Sequence, residues 1–175
     1  MIAISSIPIT DFQPKKSVSI GVKENDDHLI AYTAYNVKTL LECSKEKIYY
    51  QQKLLPNLFV FVKHVFRHCN LTPTILVIAL IYLKRLKRAL PAQSQGEFDT
   101  PYKMFIAAVI LASKFIEDTN AIAHSIYRLV SPLYPAKEIN EMERSFLGVV
   151  KYNLFVSSDQ VHQFVQEHKD ILQLS

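Results

Sequence analysis

Apolar residues along this chain recur mainly at helical spacing, and one stretch is apolar without interruption. From Met104 to Ala112 no polar side chain occurs. A helix with this pattern is apolar on every side, so it has to lie inside a bundle rather than on its surface. Small side chains at Ala107, Ala108 and Ala112 would let other helices cross it closely. The pattern therefore predicts a central helix over residues 101–118, with the other helices packed around it.

The same periodicity predicts further helices on both sides of the central one. Apolar residues at i, i+3, i+4 and i+7 give each of them an apolar stripe. We expect helices over residues 27–44, 56–69, 73–90, 121–130, 137–152 and 158–172. Thr72-Pro73 and Thr100-Pro101 each join an N-cap residue to a proline in the first turn, so each is predicted to begin a helix. No pair of strands stands out, so the predicted class is all-α.

Composition narrows the class of protein. A chain of 175 residues fits one domain, and its formal net charge of +4 is modest. Cys43 and Cys69 lie in apolar helical surroundings and no secretory leader is evident, which fits a reducing compartment. The longest apolar runs reach about half the length that a membrane span requires. We therefore expect a soluble protein without a membrane partner.

The sequence contains little that indicates catalysis. Only three glycines are present, which argues against a loop that cradles phosphate groups, and no spacing suggests a Ser/His/Asp or Cys/His arrangement. His64 and His68, at i and i+4 with Cys69 beside them, have a spacing that can chelate a metal ion. No further Cys/His cluster accompanies them, so we expect no metal site. We also expect no cofactor and no enzymatic activity.

One run of positive charge stands out, at Lys84, Arg85, Lys87 and Arg88. It could meet a substrate, an acidic protein or nucleic acid. It also falls where a helix ends, and cations are favoured there by the backbone dipole. We favour a solvated helix end over a nucleic-acid site.

Four stretches of the chain resemble the helices of a cyclin box. A-A-V-I-L-A-S-K-F-I-E-D (residues 107–118) and I-N-E-M-E-R-S-F-L-G-V-V-K-Y-N-L-F-V (139–156) are similar to its third and fifth helices. T-P-T-I-L-V-I-A-L-I-Y-L-K-R-L (72–86) resembles its second helix and L-P-N-L-F-V-F-V (55–62) its first. The T-P-T, Y-L-x-x-L-K-R-x-L-P and M-E-R-x-x-L patterns are most similar to fungal Pho-type cyclins. The resemblance covers about residues 55–164.

The resemblance implies an organisation and a function. The expected organisation is a five-helix cyclin box over 54–156, with an arm over 1–26, a helix and connection over 27–53 and a C-terminal helix over 157–175. A cyclin activates a cyclin-dependent kinase and directs its choice of protein substrates, here most simply a Pho-type partner kinase in cell-cycle or phosphate signalling. The resemblance also implies a protein of the nucleus and cytoplasm.

In cyclins the lysine of the A-S-K motif and the glutamate of the M-E-R-like motif grip the regulatory helix of the kinase. Carried over, these residues are Lys114 and Glu143. Phe115, Ile139 and Met142 are the expected neighbouring contacts. Charged groups beside an apolar patch can hydrogen-bond exposed backbone groups while the patch buries the kinase helix.

The chain departs from many cyclins in three ways. Lys84 stands where the Y-L-D-R-F motif has aspartate, and residues 55–62 contain no arginine, so the internal ion pair of many cyclins is expected to be absent. The chain has no tryptophan, which puts the docking patch of cell-cycle cyclins in doubt. A second cyclin fold is not expected after the last helix. A cyclin-fold transcription factor and a helical adaptor without a kinase remain the alternatives.

Overall fold

The structure is a computed structural model that describes residues 25–173, so the expected arm over residues 1–26 lies almost wholly outside the described part. Its helices are α1 (Asn25–Lys38), α2 (Tyr50–Leu54), α3 (Leu58–His68), α4 (Pro73–Ala89), α5 (Thr100–Ile116), α6 (Ala121–Val130), α7 (Ala136–Val149), α8 (Ser158–Glu167) and α9 (Lys169–Leu172). Two short strands, β1 (Glu42–Cys43) and β2 (Gln95–Gly96), pair in parallel. The all-α class is confirmed, and α3 to α7 are the five helices expected for the box.

Helix α5 is the centre of the fold. Every residue from Phe105 to Ser113 is buried, and α1, α3, α4, α6 and α7 all pack against this helix. Ala107, Ala108 and Ala112 have no exposed surface, which lets the neighbouring backbones approach closely. Each large side chain buried here contributes roughly 1.5–3 kcal/mol.

The helix starts follow the sequence signals in two places and depart from them in three. Thr72 accepts a hydrogen bond from the Ile75 amide and Pro73 opens α4, and Ser157 forms a capping box with Gln160 at the start of α8, as expected. Helix α3 begins at Leu58 with Asn57 as its cap, not at Pro56. Helix α1 begins at Asn25, so the acidic residues predicted to cap it lie inside its first turn, where they complement the helix dipole.

The start of α5 is the third departure. Its N-cap is Asp99, not Thr100, and the Thr100 hydroxyl accepts a hydrogen bond from the Glu97 amide instead. The Asp99 side chain makes no capping bond. Its buried carboxylate accepts hydrogen bonds from Gln52 and Tyr134 instead, so tertiary contacts take the place of the local cap.

Helix α1 ends six residues before its predicted end at Ser44, because the following segment pairs with the α4–α5 loop. Glu42 lies opposite Gln95 and Cys43 opposite Gly96. Strands of two residues are too short to show an alternating pattern, so no sequence signal predicted them. The last predicted helix is interrupted at His168, which separates α8 from α9.

Within the described residues, no helix is both long and apolar enough to span a bilayer. The same part of the chain holds no group of three or more His, Cys, Asp or Glu side chains arranged for a metal ion. His64 and His68 lie with their rings 4.0 Å apart, centre to centre, and His64 is buried.

Acid is expected to destabilise the fold through His64. Burial, with a smaller contribution from His68, lowers the pKa of His64 from 6.5 to about 4. Between these pH values the unfolded chain binds a proton at His64 and the folded chain does not. The free energy of unfolding therefore has its full value above about pH 6.5 and falls as the pH approaches 4. The loss reaches at most about 3 kcal/mol. Urea unfolding at pH 7.5 and 4.5 measures it.

The control for this prediction is the exposed His162. His64→Gln should remove most of the pH dependence between the two conditions, whereas His162→Gln should leave it unchanged. An equal pH dependence in the His64→Gln variant and the parent chain would contradict the assignment.

Candidate functional site

Lys114 and Glu143 meet in the structure, although 29 positions separate them in the sequence. Lys114 lies in the last turn of α5, and its ammonium nitrogen is 2.9 Å from Oε2 of Glu143 on α7. The lysine side chain is 39% exposed and the glutamate side chain 10%. The pair is therefore set into the surface, with the ammonium group outside and the carboxylate beneath it.

The carboxylate has a second partner that the sequence did not indicate. The Tyr127 hydroxyl, on α6, donates to Oε1 of Glu143, and Oδ1 of Asn140 lies 2.7 Å from the same hydroxyl. Burial raises the pKa of Tyr127, and the hydrogen bond to Glu143 raises it further, so the phenol stays protonated as a donor. Both carboxylate oxygens are thus held, one by Lys114 and one by Tyr127, and Glu143 has a fixed orientation.

A shallow cavity of about 500 Å³ adjoins this cluster. It lies between α6, the start of α7 and the end of α5, and Lys114, His124, Tyr127 and Arg128 are among its lining residues. Three of these four carry nitrogen donors. The cavity can therefore receive carbonyl or carboxylate oxygens of another molecule.

Exposed apolar side chains form the other side of the site. Phe115 is 38% exposed and Ile116 42%, and the Phe115 ring meets that of Phe155 edge to face at 6.4 Å. Phe155 and Tyr152, both 71% exposed, belong to the connector after α7. Single exposed apolar residues are common, but a patch beside a held charge pair is typical of an interaction surface. We call Lys114, Glu143, Phe115, Tyr152 and Phe155 the contact site.

Helix α4 holds this connector in place. The Tyr82 hydroxyl donates to the Leu154 carbonyl at 2.8 Å, and Arg85 donates to the carbonyls of Asn153 and Phe155, each at 2.8 Å. Three successive carbonyl groups are fixed in this way. Tyr152 and Phe155 were not expected from the sequence, because Tyr152 ends the helix predicted over residues 137–152 and Phe155 lies in the following segment, which breaks the helical pattern.

Two of the expected contact residues lie in the core. Ile139 is 0% exposed and Met142 is 6% exposed. Ile139 offers a partner no surface and Met142 very little, and neither side chain carries a charged group that could reach a partner. They hold α7 against α5, and among the expected apolar contacts only Phe115 is exposed.

The basic run on α4 divides between different surroundings. Lys84 lies 3.2 Å from Nε2 of His168 and 4.7 Å from the centre of the Phe164 ring, and burial lowers the pKa of Lys84. Arg85 is engaged by the connector after α7, as described above. Lys87 reaches the end of α1, with its ammonium nitrogen 3.4 Å from the Thr39 carbonyl, and Arg88 is exposed. Lys84, Arg85 and Arg88 all line one cavity beside α8, so within the expected basic surface only Lys87 is separated from the others.

Most of the chain is similar to known proteins. The family model described as "Cyclin" matches residues 12–154. PHO85 cyclin-1 of Saccharomyces cerevisiae is 34% identical over 108 residues, which are 61% of this chain and 38% of that protein. PHO85 cyclin-2 of the same yeast is 22% identical over 76% of this chain and 44% of its own length. Cyclin-P2-1 of Oryza sativa subsp. japonica is 31% identical over 58% of this chain and 45% of its own.

The matched segments span less than half the length of each of these relatives. No solved structure gives a significant match to the chain.

Proposed function

Because the chain belongs to the cyclin family and is related to the PHO85 cyclins, we propose that it is the activating subunit of a cyclin-dependent kinase, with a Pho85-like kinase as its partner. The chain supplies no catalytic group in this role. Its work is to bind the regulatory helix of the kinase and to influence which protein substrates the kinase phosphorylates. We place this activity in the nucleus and cytoplasm.

The observation that carries the proposal is the Lys114–Glu143 pair beside an exposed aromatic patch. The two charges come from the third and fifth helices of the box and lie 2.9 Å apart at the surface. Phe115 and Phe155 provide apolar area next to them. An interface of this composition, with aromatic residues and a few charged groups, is typical of specific protein binding.

The proposed docking combines apolar contacts with charge-assisted hydrogen bonds. The kinase helix would bury its apolar face on Phe115, Tyr152 and Phe155, while Lys114 donates to kinase carbonyl oxygens and Glu143 accepts from kinase amides. Charge-assisted hydrogen bonds of this kind are about twice as strong as neutral ones. The inward movement of the kinase helix would let its glutamate pair with the lysine that positions ATP.

The departures from other cyclins are compatible with a Pho-type cyclin. Lys84, which stands in place of the aspartate of many cyclins, contacts His168 and the Phe164 ring on the C-terminal helices instead of forming that ion pair. A DNA-binding role is less well supported, because Lys84 and Arg85 are drawn into internal contacts and do not form a continuous basic face with Lys87.

The test is affinity purification of the tagged full chain from its native cell, followed by mass spectrometry and a kinase assay on a histone substrate. The proposal would be supported by a cyclin-dependent kinase that is recovered in the same molar amount as the tagged chain and whose activity requires that chain. Recovery of DNA or transcription machinery without a kinase would overturn it in favour of a transcription factor. Recovery of neither would favour the adaptor.

Tyr127 is expected to position Glu143 for this contact. Tyr127→Phe removes the hydroxyl that donates to Oε1, so a mostly buried carboxylate loses one of its two partners. We expect a stability loss of about 1–2 kcal/mol and a rise of about tenfold in the Kd for the kinase. Urea unfolding and a titration with the purified kinase measure the two effects.

Tyr35→Phe is the matched control, since Tyr35 is exposed on α1 and is not part of the contact site. It should change neither quantity. If Tyr127→Phe lowers stability but leaves the kinase Kd unchanged, Tyr127 supports the fold and has no positioning role.

A further inference from the structure

A second surface lies at the other end of α5. A cleft of about 920 Å³ opens between the connector after α1, the end of α4 and the first turns of α3 and α5. Tyr102 lines this cleft and Lys114 belongs to the contact site, so about 18 Å of helix separates them. A molecule bound in this cleft would not compete directly with one bound at the contact site.

Five leucines line the cleft, and we call them its floor: Leu40, Leu41, Leu55, Leu58 and Leu90. Leu40 and Leu55 are buried, while Leu41, Leu58 and Leu90 pack against the core and keep part of their surface accessible. A concave aliphatic floor of this kind favours the side chains of leucine, isoleucine or valine over polar groups.

The charged residues that line the cleft are almost all positive. They are Lys38, Lys45, Lys47 and Lys87, with Glu42 as the only carboxylate among the lining residues. Lys47 lies 4.9 Å from the centre of the Phe98 ring, and Lys87 is near the Thr39 carbonyl. In residues 25–173 none of the four lysines takes part in an ion pair with a carboxylate. We call this surface the lysine cleft.

Only the folded chain brings these lysines together. Lys38 ends α1, Lys45 and Lys47 belong to the connector, and Lys87 comes from the last turn of α4. The β1–β2 pairing ties the connector to the α4–α5 loop, and the Ser44 amide extends it with a 2.9 Å bond to the Gly96 carbonyl. The charges thus stand around one apolar floor, on segments linked by backbone hydrogen bonds.

We propose that the lysine cleft binds an acidic peptide segment of a protein partner, in which aspartate or glutamate residues flank an aliphatic anchor. The anchor occupies the leucine floor, and the carboxylates face the four lysines, which have no acidic partner of their own. Complementary charge of this kind speeds association and excludes basic segments. Single-stranded nucleic acid is the poorer fit, because the floor lacks open aromatic faces on which bases stack: Tyr102 is buried and the Phe98 ring lies beneath Lys47.

The experiment selects random peptides displayed on phage against the immobilised full chain, and then measures the enriched peptides by fluorescence anisotropy. We expect the enriched peptides to combine Asp or Glu with Leu, Ile or Val, and to bind more weakly as the salt concentration rises. Enrichment of peptides without acidic residues, or no enrichment, would overturn the proposal. So would an oligothymidylate that binds in place of the peptide with equal strength.

Variants test the location. Lys45→Glu with Lys47→Glu should weaken peptide binding by at least about tenfold. Ala92→Trp, which adds bulk at an exposed lining residue without changing charge, should weaken it similarly. Lys137→Glu with Lys169→Glu reverses two exposed lysines that do not line the cleft and should leave binding unchanged. Equal loss in the variant and control pairs would point to net charge alone and reject the site.

The peptide-binding test and the test of the proposed kinase function can succeed or fail independently. Substitutions in the lysine cleft should leave kinase binding intact, because the contact site lies at the opposite end of α5. If peptide binding is found without a kinase partner, the kinase proposal fails and the cleft stands. If the kinase binds but no acidic peptide does, the cleft proposal fails alone.

Discussion

A chain that carries both Lys114→Glu and Glu143→Lys is expected to remain folded and to lose kinase binding. The double reversal allows the two side chains to pair again, so the contact between α5 and α7 can be kept. The charges presented to the kinase are exchanged, however, and each contact that was attractive becomes repulsive. We expect the Kd for the kinase to rise by at least about 100-fold, since mispaired interface charges cost about 2–5 kcal/mol.

Circular dichroism and a kinase titration test this prediction together. The matched control is Lys169→Glu with Asp170→Lys, which exchanges two exposed charges on α9. It should bind the kinase as the parent chain does. Kinase binding of parental strength by a folded Lys114→Glu, Glu143→Lys chain would reject the contact site.

The second large effect is expected at Asp99, which links three separate parts of the fold. Its carboxylate accepts hydrogen bonds from the Tyr134 hydroxyl at 2.9 Å and from Nε2 of Gln52 at 3.2 Å, and Lys103 lies 3.7 Å away. Asp99, Gln52 and Tyr134 are all buried. Burial raises the pKa of Tyr134, and the charge of Asp99 raises it further, so this phenol is a permanent donor.

Asp99→Ala would leave the Tyr134 hydroxyl and the Gln52 amide without their acceptor inside the protein. Breaking a buried charged network in this way is expected to cost about 3–5 kcal/mol of unfolding free energy. Urea unfolding measures the loss. Tyr134→Phe should cost less, about 1–2 kcal/mol, because the carboxylate keeps its other partners.

Asp159→Ala, at an exposed position in the first turn of α8, serves as the control and should cost well under 1 kcal/mol. A loss of similar size for Asp99→Ala and Asp159→Ala would show that the buried network contributes little to stability.

The candidate site could be predicted in part from the sequence. The A-S-K and M-E-R stretches identified Lys114 and Glu143 through their resemblance to cyclins, but that resemblance assigned both residues to the kinase. Their pairing with each other, and the role of Tyr127, depend on how α6 packs against α7. Apolar periodicity gave no means to separate buried Ile139 from exposed Phe115, since both lie in amphipathic or apolar stretches.

By itself the sequence determined where most helices lie, which of them is central and which family the chain resembles. These features depend on local periodicity and on capping residues such as Thr72 and Ser157, which act within a few positions of one another. Only the tertiary structure decided that Asp99 belongs to a buried hydrogen-bond network and that Lys87 lies apart from the other basic residues of α4. It also decided that four lysines surround one apolar floor. Each of these joins residues far apart in the chain, and their contacts exist only once the helices have packed.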